Sequence, residues 1–317
     1  MQIRDNTAPS AMSCQSLQGD DDLLSLTWFC MAALCEMRVP NNPDAKRAAQ
    51  SAVDEVKRIE AKFSRYREDS LTTAINRAAG ISQVACDSET IALLDFASRM
   101  FAVSDGLLDL SSGVLRKVWN FRGNAAEPAM PALQASIEKT LPLIGWEKIE
   151  ISDTSIFLPI RGMEIDFGGI GKEYAADRAR QLLVKQGVQS ALIDLGGDIA
   201  TLGSKPDGSP WNLGIRDPRA ENKLLATLSL HTGALATSGD YERVIHFQGG
   251  RFCHILNPKT GWPCNHWQSV SVAHSSCLLS GALATIAMLM EQDALNFLKR
   301  NDAKWFCVGP NGDIVRS

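Results

Sequence analysis

Histidine and tyrosine are scarce in this chain of 317 residues, with five and three copies, and its eight cysteines include no Cys-x-x-Cys spacing. Cysteines so dispersed exclude a dense disulfide framework and read as reduced thiols, mostly small core filler; Cys253, beside His254, is read the same way rather than as a reactive thiol. An excess of positive charge is also missing. Lys and Arg total 32 against 36 Asp and Glu, a formal charge of -4, so no broad nucleic-acid-binding surface is expected. Long apolar runs are absent: the longest, Leu278 to Met290, is broken by Ser280 and Thr285 and falls short of the roughly 20 residues a bilayer span needs. No membrane span is expected. Residues 1–22 are polar and carry three consecutive aspartates where an export signal or lipoprotein leader would place its apolar segment. A flexible tail over 1–22 and a cytoplasmic location follow as expectations, with the functional unit spanning 23–317.

What is present is an ordinary globular balance, 45% hydrophobic and 21% charged, which argues against wholesale disorder. Asn42-Pro43-Asp44 opens a helix whose Ala45, Ala48, Ala49, Ala52, Val53, Val56 and Ile59 share one face, running to about Phe63. A second helix is expected over 88–103, and a loop from Gly123 to Pro131 leads into another. From residue 147 the texture changes. Strand-like segments are expected at 147–151, 155–159, 163–167, 189–194, 211–217, 225–230 and 268–274, with helices at 171–187 and 276–290. Gly249-Gly250 joins two alternating runs, 243–248 and 251–256, as a hairpin, and Pro310-Asn311-Gly312-Asp313 forms a final turn. A helix-rich first half and a strand-rich second half make the fold class α+β.

Three glycine-centred stretches carry the chemistry. Asp166-Phe167-Gly168-Gly169-Ile170-Gly171-Lys172 follows a strand and opens a helix; it is either a phosphate-facing turn, with Lys172 suited to a diphosphate, or simply a tight connection. It has neither Walker nor dinucleotide spacing. Asp194-Leu195-Gly196-Gly197-Asp198 is either a sharp bend or a ribose or metal loop. Ala236 to Arg243 gathers hydroxyl, carboxylate and guanidinium groups between two strands, where loops usually carry function. His254 opens His254-Ile255-Leu256-Asn257-Pro258-Lys259-Thr260-Gly261; a lone histidine is structural more often than catalytic until its surroundings are considered.

Taken in order, DFGGIGKEYAADRA (166–179), LIDLGGDIATLG (192–203), PDGSPWNLGIRDP (206–218), ATSGDYER (236–243) and HILNPKTG (254–261) resemble the FAD:protein FMN transferases, the ApbE-like family. Ser64-Arg65-Tyr66, Asp69-Ser70, Ile75-Asn76 and Trp119-Asn120-Phe121 match as well, so the resemblance spans roughly residues 28–300. It implies a single α+β unit of T-fold character, with FAD held in a cleft between two subdomains. The implied reaction moves FMN from FAD to a Ser or Thr hydroxyl of a target flavoprotein, releasing AMP with Mg²⁺ as the cation. Such a reaction needs a base for the hydroxyl proton and positive charge or N–H groups on the diphosphate. By the resemblance, His254 is the proton acceptor. Met31, Tyr66, Trp119, Asn120, Phe121, Asp166, Lys172 and the backbone of Ile255 would bind FAD, while Gly169, Gly281 and Thr285 would stand at the metal.

The departures are specific. The family's Asp-Ala-Leu-Ala-Thr metal helix reads Gly281-Ala282-Leu283-Ala284-Thr285 here, so its acidic ligand is missing and Gly281 has only a backbone carbonyl to give. Metal affinity should fall unless another acid or the FAD phosphates supply the missing ligand. Met-Gly-Thr is Met31-Ala32-Ala33; Phe-Asp-Pro-Thr-Val-Gly is Leu108-Asp109-Leu110-Ser111-Ser112-Gly113; and Asn257 stands for the usual Asp. The alternatives to the transferase are a flavin-binding carrier that has lost activity, which Gly281 favours, or an FAD diphosphate hydrolase giving FMN and AMP.

Overall fold

The structure is a computed structural model and describes residues 13–16, 22–121 and 130–317. The chain opens with β1 (Ser13–Ser16), β2 (Leu23–Cys30) and β3 (Ala33–Pro40), which pair in turn as antiparallel neighbours. Ser13–Ser16 therefore lies on a sheet edge, although it falls within the stretch expected to be a tail. The rest of 1–21 lies outside the described residues, as does most of the loop expected from Gly123 to Pro131.

Helix α1 (Pro43–Phe63) begins where Asn42 Oδ1 accepts the Ala45 N–H at 2.9 Å and Pro43 presets the first turn. It buries the alanine and valine face foreseen, together with Phe63. Next come α2 (Leu71–Arg77), β4 (Val84–Ala85), α3 (Ser88–Val103), a 3₁₀ turn at Leu110–Lys117, and α4 (Met130–Thr140). Short strands β5 (Glu150–Ile151) and β6 (Ser155–Phe157) join β4 in a three-stranded sheet.

The expected strand over 163–167 does not form. Met163, Ile165 and Phe167 are buried and alternate in sequence with two acids, although Glu164 is buried too. Among the described residues no strand pairs with them; the Asn76 carboxamide does that work, donating to the Ile165 carbonyl at 3.0 Å and accepting its N–H at 2.7 Å. The segment ends in a 3₁₀ turn, Phe167–Gly169, that feeds α5 (Gly171–Lys185).

Beyond α5 the chain is mostly strand: β7 (Ala191–Leu195), β8 (Ile199–Leu202), β9 (Trp211–Asp217), β10 (Ala220–Leu230), β11 (Gly233–Gly239), β12 (Val244–Phe247), β13 (Gly250–Cys253) and β14 (Ser269–His274). Helices α6 (Cys277–Met290) and α7 (Ala294–Arg300) and strands β15 (Lys304–Val308) and β16 (Ile314–Arg316) complete it. The main sheet has nine strands in the order β1-β2-β3-β7-β8-β11-β14-β15-β16, all antiparallel, open rather than closed into a barrel.

Period-two alternation sends its side chains to two faces. Leu24, Leu26, Trp28, Met37, Ile193, Val270, Val272 and Trp305 join α1, α5 and α6 in the main core. Leu23, Leu192, Leu235, Ala273, Phe306 and Val308 point the other way, against Trp211, Leu213 and Ile215 of the β9–β10 hairpin. A third, smaller core gathers Val114, Leu115, Trp119, Leu133, Ile137 and Ile144, with the β12–β13 hairpin packed on it.

Helix α6 with its continuation to Arg300 gives one 24-residue stretch apolar enough by composition to cross a membrane, but 56% of its most apolar window is buried inside the protein. Ten of the residues of α6 proper are buried, which is the burial of a core helix.

Candidate active site at the seam of two cores

The seam between the main and small cores is marked by the segment after β13. Ile255 packs into the main core, whereas Phe252 and Leu256 pack on the small one, and His254 stands between them. His254 lies edge-on to Phe121, ring centroids 6.5 Å apart. Its Nδ1 is buried and has no hydrogen-bond partner among the described residues. Burial, then the positive charges of Arg243 and Lys172, hold the imidazole down to about 4. It is therefore neutral at pH 7, the state a proton acceptor requires.

The first glycine stretch brings Lys172 within electrostatic reach of His254. Asp166 accepts the Gly168 N–H at 2.9 Å, folding the chain into the turn that opens α5. Gly168 and Gly169 are exposed, and a Cβ on Gly169 would meet only open space, so the turn presents backbone at the surface. Met31 reaches the same turn from the tip of the β2–β3 hairpin: a Cβ on Gly171 would lie 4.0 Å from its methyl carbon.

Lys172 is paired with Asp198, which ties the first glycine stretch to the second. Burial works against the Lys172 charge, but Asp198 and Glu173 outweigh it and raise the ammonium above its ordinary value. The Asp194–Asp198 bend is sharp, with Gly196 and Gly197 both at positive φ and the Gly197 N–H donating to Asp194 at 2.7 Å. The third stretch meets α6, where the Ser238 and Thr285 hydroxyls lie 2.8 Å apart. Its Asp240 is occupied structurally, gripped by Arg219 and Arg251 at 2.7 Å each.

Helix α6 is fixed against α5 by Asp177, whose carboxylate accepts the Cys277 and Leu278 N–H groups at 3.0 Å and the Ser276 hydroxyl at 2.7 Å. That clamp seats Gly281 directly on Glu173. A Cβ on Gly281 would lie 2.5 Å from Glu173 Cγ and 2.6 Å from Oε1, distances no pair of side chains tolerates. Burial, then the charge of Asp198, raises the Glu173 carboxyl while Lys172 opposes the rise.

Several expected site residues are placed differently from the sequence reading. Gly281 is buried in the middle of α6, where its carbonyl serves the i to i+4 ladder of the helix, so it is poorly disposed as a metal ligand. Trp119 is only 2% exposed and donates from its indole to the Gly261 carbonyl at 2.8 Å. It stacks on Phe121, ring centroids 6.4 Å apart, and the more exposed side chains of this stretch are Phe121 and Asn120. The Ile255 carbonyl accepts the Cys264 N–H at 3.0 Å. Tyr66 is half exposed beside the Arg65 guanidinium, and Arg65 in turn reaches Asp166 at 2.9 Å. Arg65, Asp198, Ser238 and Glu173 join the site without having been singled out for it. The glycine loops around Asp198 and Ser238 were a usable signal, but nothing marked Glu173, since an acid in a first helical turn is ordinary. Among the described residues no three His, Cys, Asp or Glu side chains converge into a closed metal cage. A separate hollow lined by Phe101, Asp105, Asp109, Ile144 and Lys259 includes none of His254, Asp166, Lys172, Glu173 and Thr285.

An exposed glycine turn at a helix start, a paired lysine, aromatic side chains and a neutral histidine across a seam define a protein that handles an aromatic, phosphate-bearing ligand. The chain belongs to the ApbE family, whose model matches residues 31–307. It is 33% identical over 270 residues to an FAD:protein FMN transferase of Klebsiella pneumoniae (strain 342), covering 83% of this chain and 82% of that one. An FAD:protein FMN transferase of Treponema pallidum (strain Nichols) is 32% identical over 279 residues, covering 82% and 76%. Among solved structures, the ApbE protein of Thermotoga maritima aligns with a TM-score of 0.85 at 31% identity, covering 92% of this chain and 96% of that one. The flavin transferase ApbE of Vibrio cholerae shares the fold, with a TM-score of 0.82 at 23% identity over 93% and 96%.

Proposed function

We propose that this protein is an FAD:protein FMN transferase that moves FMN from FAD to a Ser or Thr hydroxyl of a target flavoprotein. The acceptor oxygen forms a bond to the FMN-side phosphorus while the bond from that phosphorus to the bridging oxygen breaks. AMP leaves with the bridging oxygen, and the hydroxyl proton passes to a base. The observation that carries this reading is His254: a neutral imidazole with a buried, unpartnered Nδ1, on the seam within electrostatic reach of Lys172. Membership of the ApbE family supports it independently.

In this reading Lys172 binds the diphosphate beside the exposed Gly168–Gly169 backbone, and Asp198 keeps the lysine oriented. Phe121, Tyr66 and Met31 offer the flavin its contacts, and Trp119 stiffens Phe121 by stacking on it. Mg²⁺ would take the Thr285 hydroxyl and the Gly169 carbonyl as donors, on a helix and a turn that touch in the fold; when bound it would neutralise diphosphate charge. The carrier alternative drew its support from the acid missing at position 281, and a buried carboxylate, that of Glu173, stands at that very place.

The test is incubation of the protein with FAD, Mg²⁺ and a Thr-containing acceptor flavoprotein, measuring AMP and covalent flavin. Matched AMP and label are expected, both falling by roughly 10²–10⁴-fold in His254→Ala. AMP without label on any acceptor would instead establish the hydrolase, and tight FAD binding with no AMP the carrier.

A further inference from the structure

We propose that Glu173 is the carboxylate ligand of the divalent cation in this protein, taking from α5 the place that a side chain on α6 would otherwise fill. The inference rests on the transferase reading for what the cation does, and on this chain's own packing for where the ligand is.

Three observations meet at one point. First, a side chain at 281 would displace Glu173 from its present position, because a Cβ on Gly281 would fall within 2.8 Å of three atoms of the Glu173 side chain, its carboxyl included. The glycine is what admits the glutamate. Secondly, Glu173 is 6% exposed, and its Oε2 is buried with no hydrogen-bond partner among the described residues. A carboxylate oxygen withdrawn from water without a partner is costly, so the site calls for a proton or a cation. The adjacent ammonium is hydrogen-bonded to Asp198 and offsets the Glu173 charge only through space, and Asp177 is spent on the start of α6. Thirdly, hard oxygen donors are close by in the fold. Thr285 lies one helical turn beyond Gly281 on the same face of α6, and Gly169 precedes Glu173 by four residues at the exposed turn.

Mg²⁺ is commonly held by one or two carboxylates with the remaining positions left to water and substrate phosphate. A single protein carboxylate is therefore enough, and no cluster of three such side chains is required. The chemistry selects a small, hard divalent cation bound together with a diphosphate rather than a soft or tightly caged metal.

The test uses Mn²⁺ as a paramagnetic probe, titrated into the full-length protein in the presence of FAD and followed by the loss of free-ion EPR signal. Glu173→Gln keeps the shape of the side chain, so FAD binding without metal and the near-ultraviolet circular dichroism are expected to persist while Mn²⁺ affinity falls at least tenfold. Gly281→Asp alone should also lower Mn²⁺ binding, through the clash with Glu173. The exchange Glu173→Gly with Gly281→Asp should restore it to within a few-fold. Unchanged Mn²⁺ affinity in Glu173→Gln would overturn the proposal, as would a wild-type protein that binds no Mn²⁺ with FAD present. The two readings fail separately: Glu173-dependent Mn²⁺ binding without AMP release leaves the ligand assignment standing and removes the transferase. Covalent flavin transfer with Glu173-independent Mn²⁺ binding does the reverse.

Discussion

Arg65 Nη1 lies 2.9 Å from Asp166 Oδ2 and, with the same nitrogen, donates to the Gly113 carbonyl at 3.0 Å. One guanidinium thus joins the loop after α1, the 3₁₀ turn of the small core and the turn that opens α5. Gly113 is fitted to this junction, since a Cβ there would sit 2.6 Å from Asp166 Cβ. Gly113→Ala is accordingly expected to cost about 1–3 kcal/mol, the usual range for overpacking a tight site. Because the displaced partner is Asp166, FAD affinity should weaken in parallel. Denaturant unfolding and a flavin titration read the two effects, and a fully stable variant with normal FAD affinity would contradict the packing argument.

The low position of His254 sets a pH dependence whose sign is fixed. Its folded value of about 4 lies below the ordinary 6.5, so between these limits the unfolded chain takes up a proton that the folded protein refuses. This contribution to stability is intact above about pH 6.5 and declines as pH falls toward 4. For activity, kcat/KM should hold through pH 6 and show its acid limb near 4. The negative charge of bound FAD favours the imidazolium, so the limb in kcat should lie at higher pH than that in kcat/KM. An acid limb in kcat/KM at 6.5 or above would rule His254 out as a buried neutral base.

Residue 32 offers a stability gain. Met31 and Ala32 form the β2–β3 turn with φ of 53° and 59°, the left-handed region that costs a side-chain-bearing residue roughly 1–2 kcal/mol. Ala32→Gly removes that strain at the cost of extra freedom in the unfolded chain, for a net gain of about 0.5 kcal/mol and about 1 °C in Tm. Differential scanning calorimetry reads it directly. Met31 anchors the turn by donating its N–H to Glu60, so its approach to the α5 turn, and with it FAD affinity, should be preserved.

Much of the fold was legible where local signals agree with tertiary packing. Helix α1 carries a cap, an N-terminal proline and an eight-residue apolar face, and β9 alternates buried and exposed along nearly its whole length. The β2–β3 hairpin was not foreseen, because its turn is Met31-Ala32 rather than a glycine or asparagine pair, and β2 is buried almost continuously, which blurs the period of two. The segment 163–167 misled in the opposite way: it alternates in sequence, but its backbone partners come from the Asn76 side chain and the Leu110 carbonyl, which no periodicity encodes. The site followed the same division. His254, Lys172 and the glycine turns sit in contiguous motifs, while Glu173 acquires meaning only through its contact with Gly281, more than a hundred residues away in the chain.

Strands β3 and β7 are antiparallel neighbours, with Glu36 opposite Asp194, yet residues 41–190 lie between their facing ends. Bringing those ends together costs on the order of 4 kcal/mol of chain entropy before any contact rewards it, so pairing of β3 with β7 is expected to be a slow step of folding. Tyr66, Phe121, Asp166, Lys172 and Glu173 all belong to that excursion, whereas Met31, His254 and Thr285 lie on the chain to either side of it. A nascent or partly opened molecule therefore holds the two halves of its chemistry apart. Competence for flavin becomes a report that the longest loop in the molecule has closed.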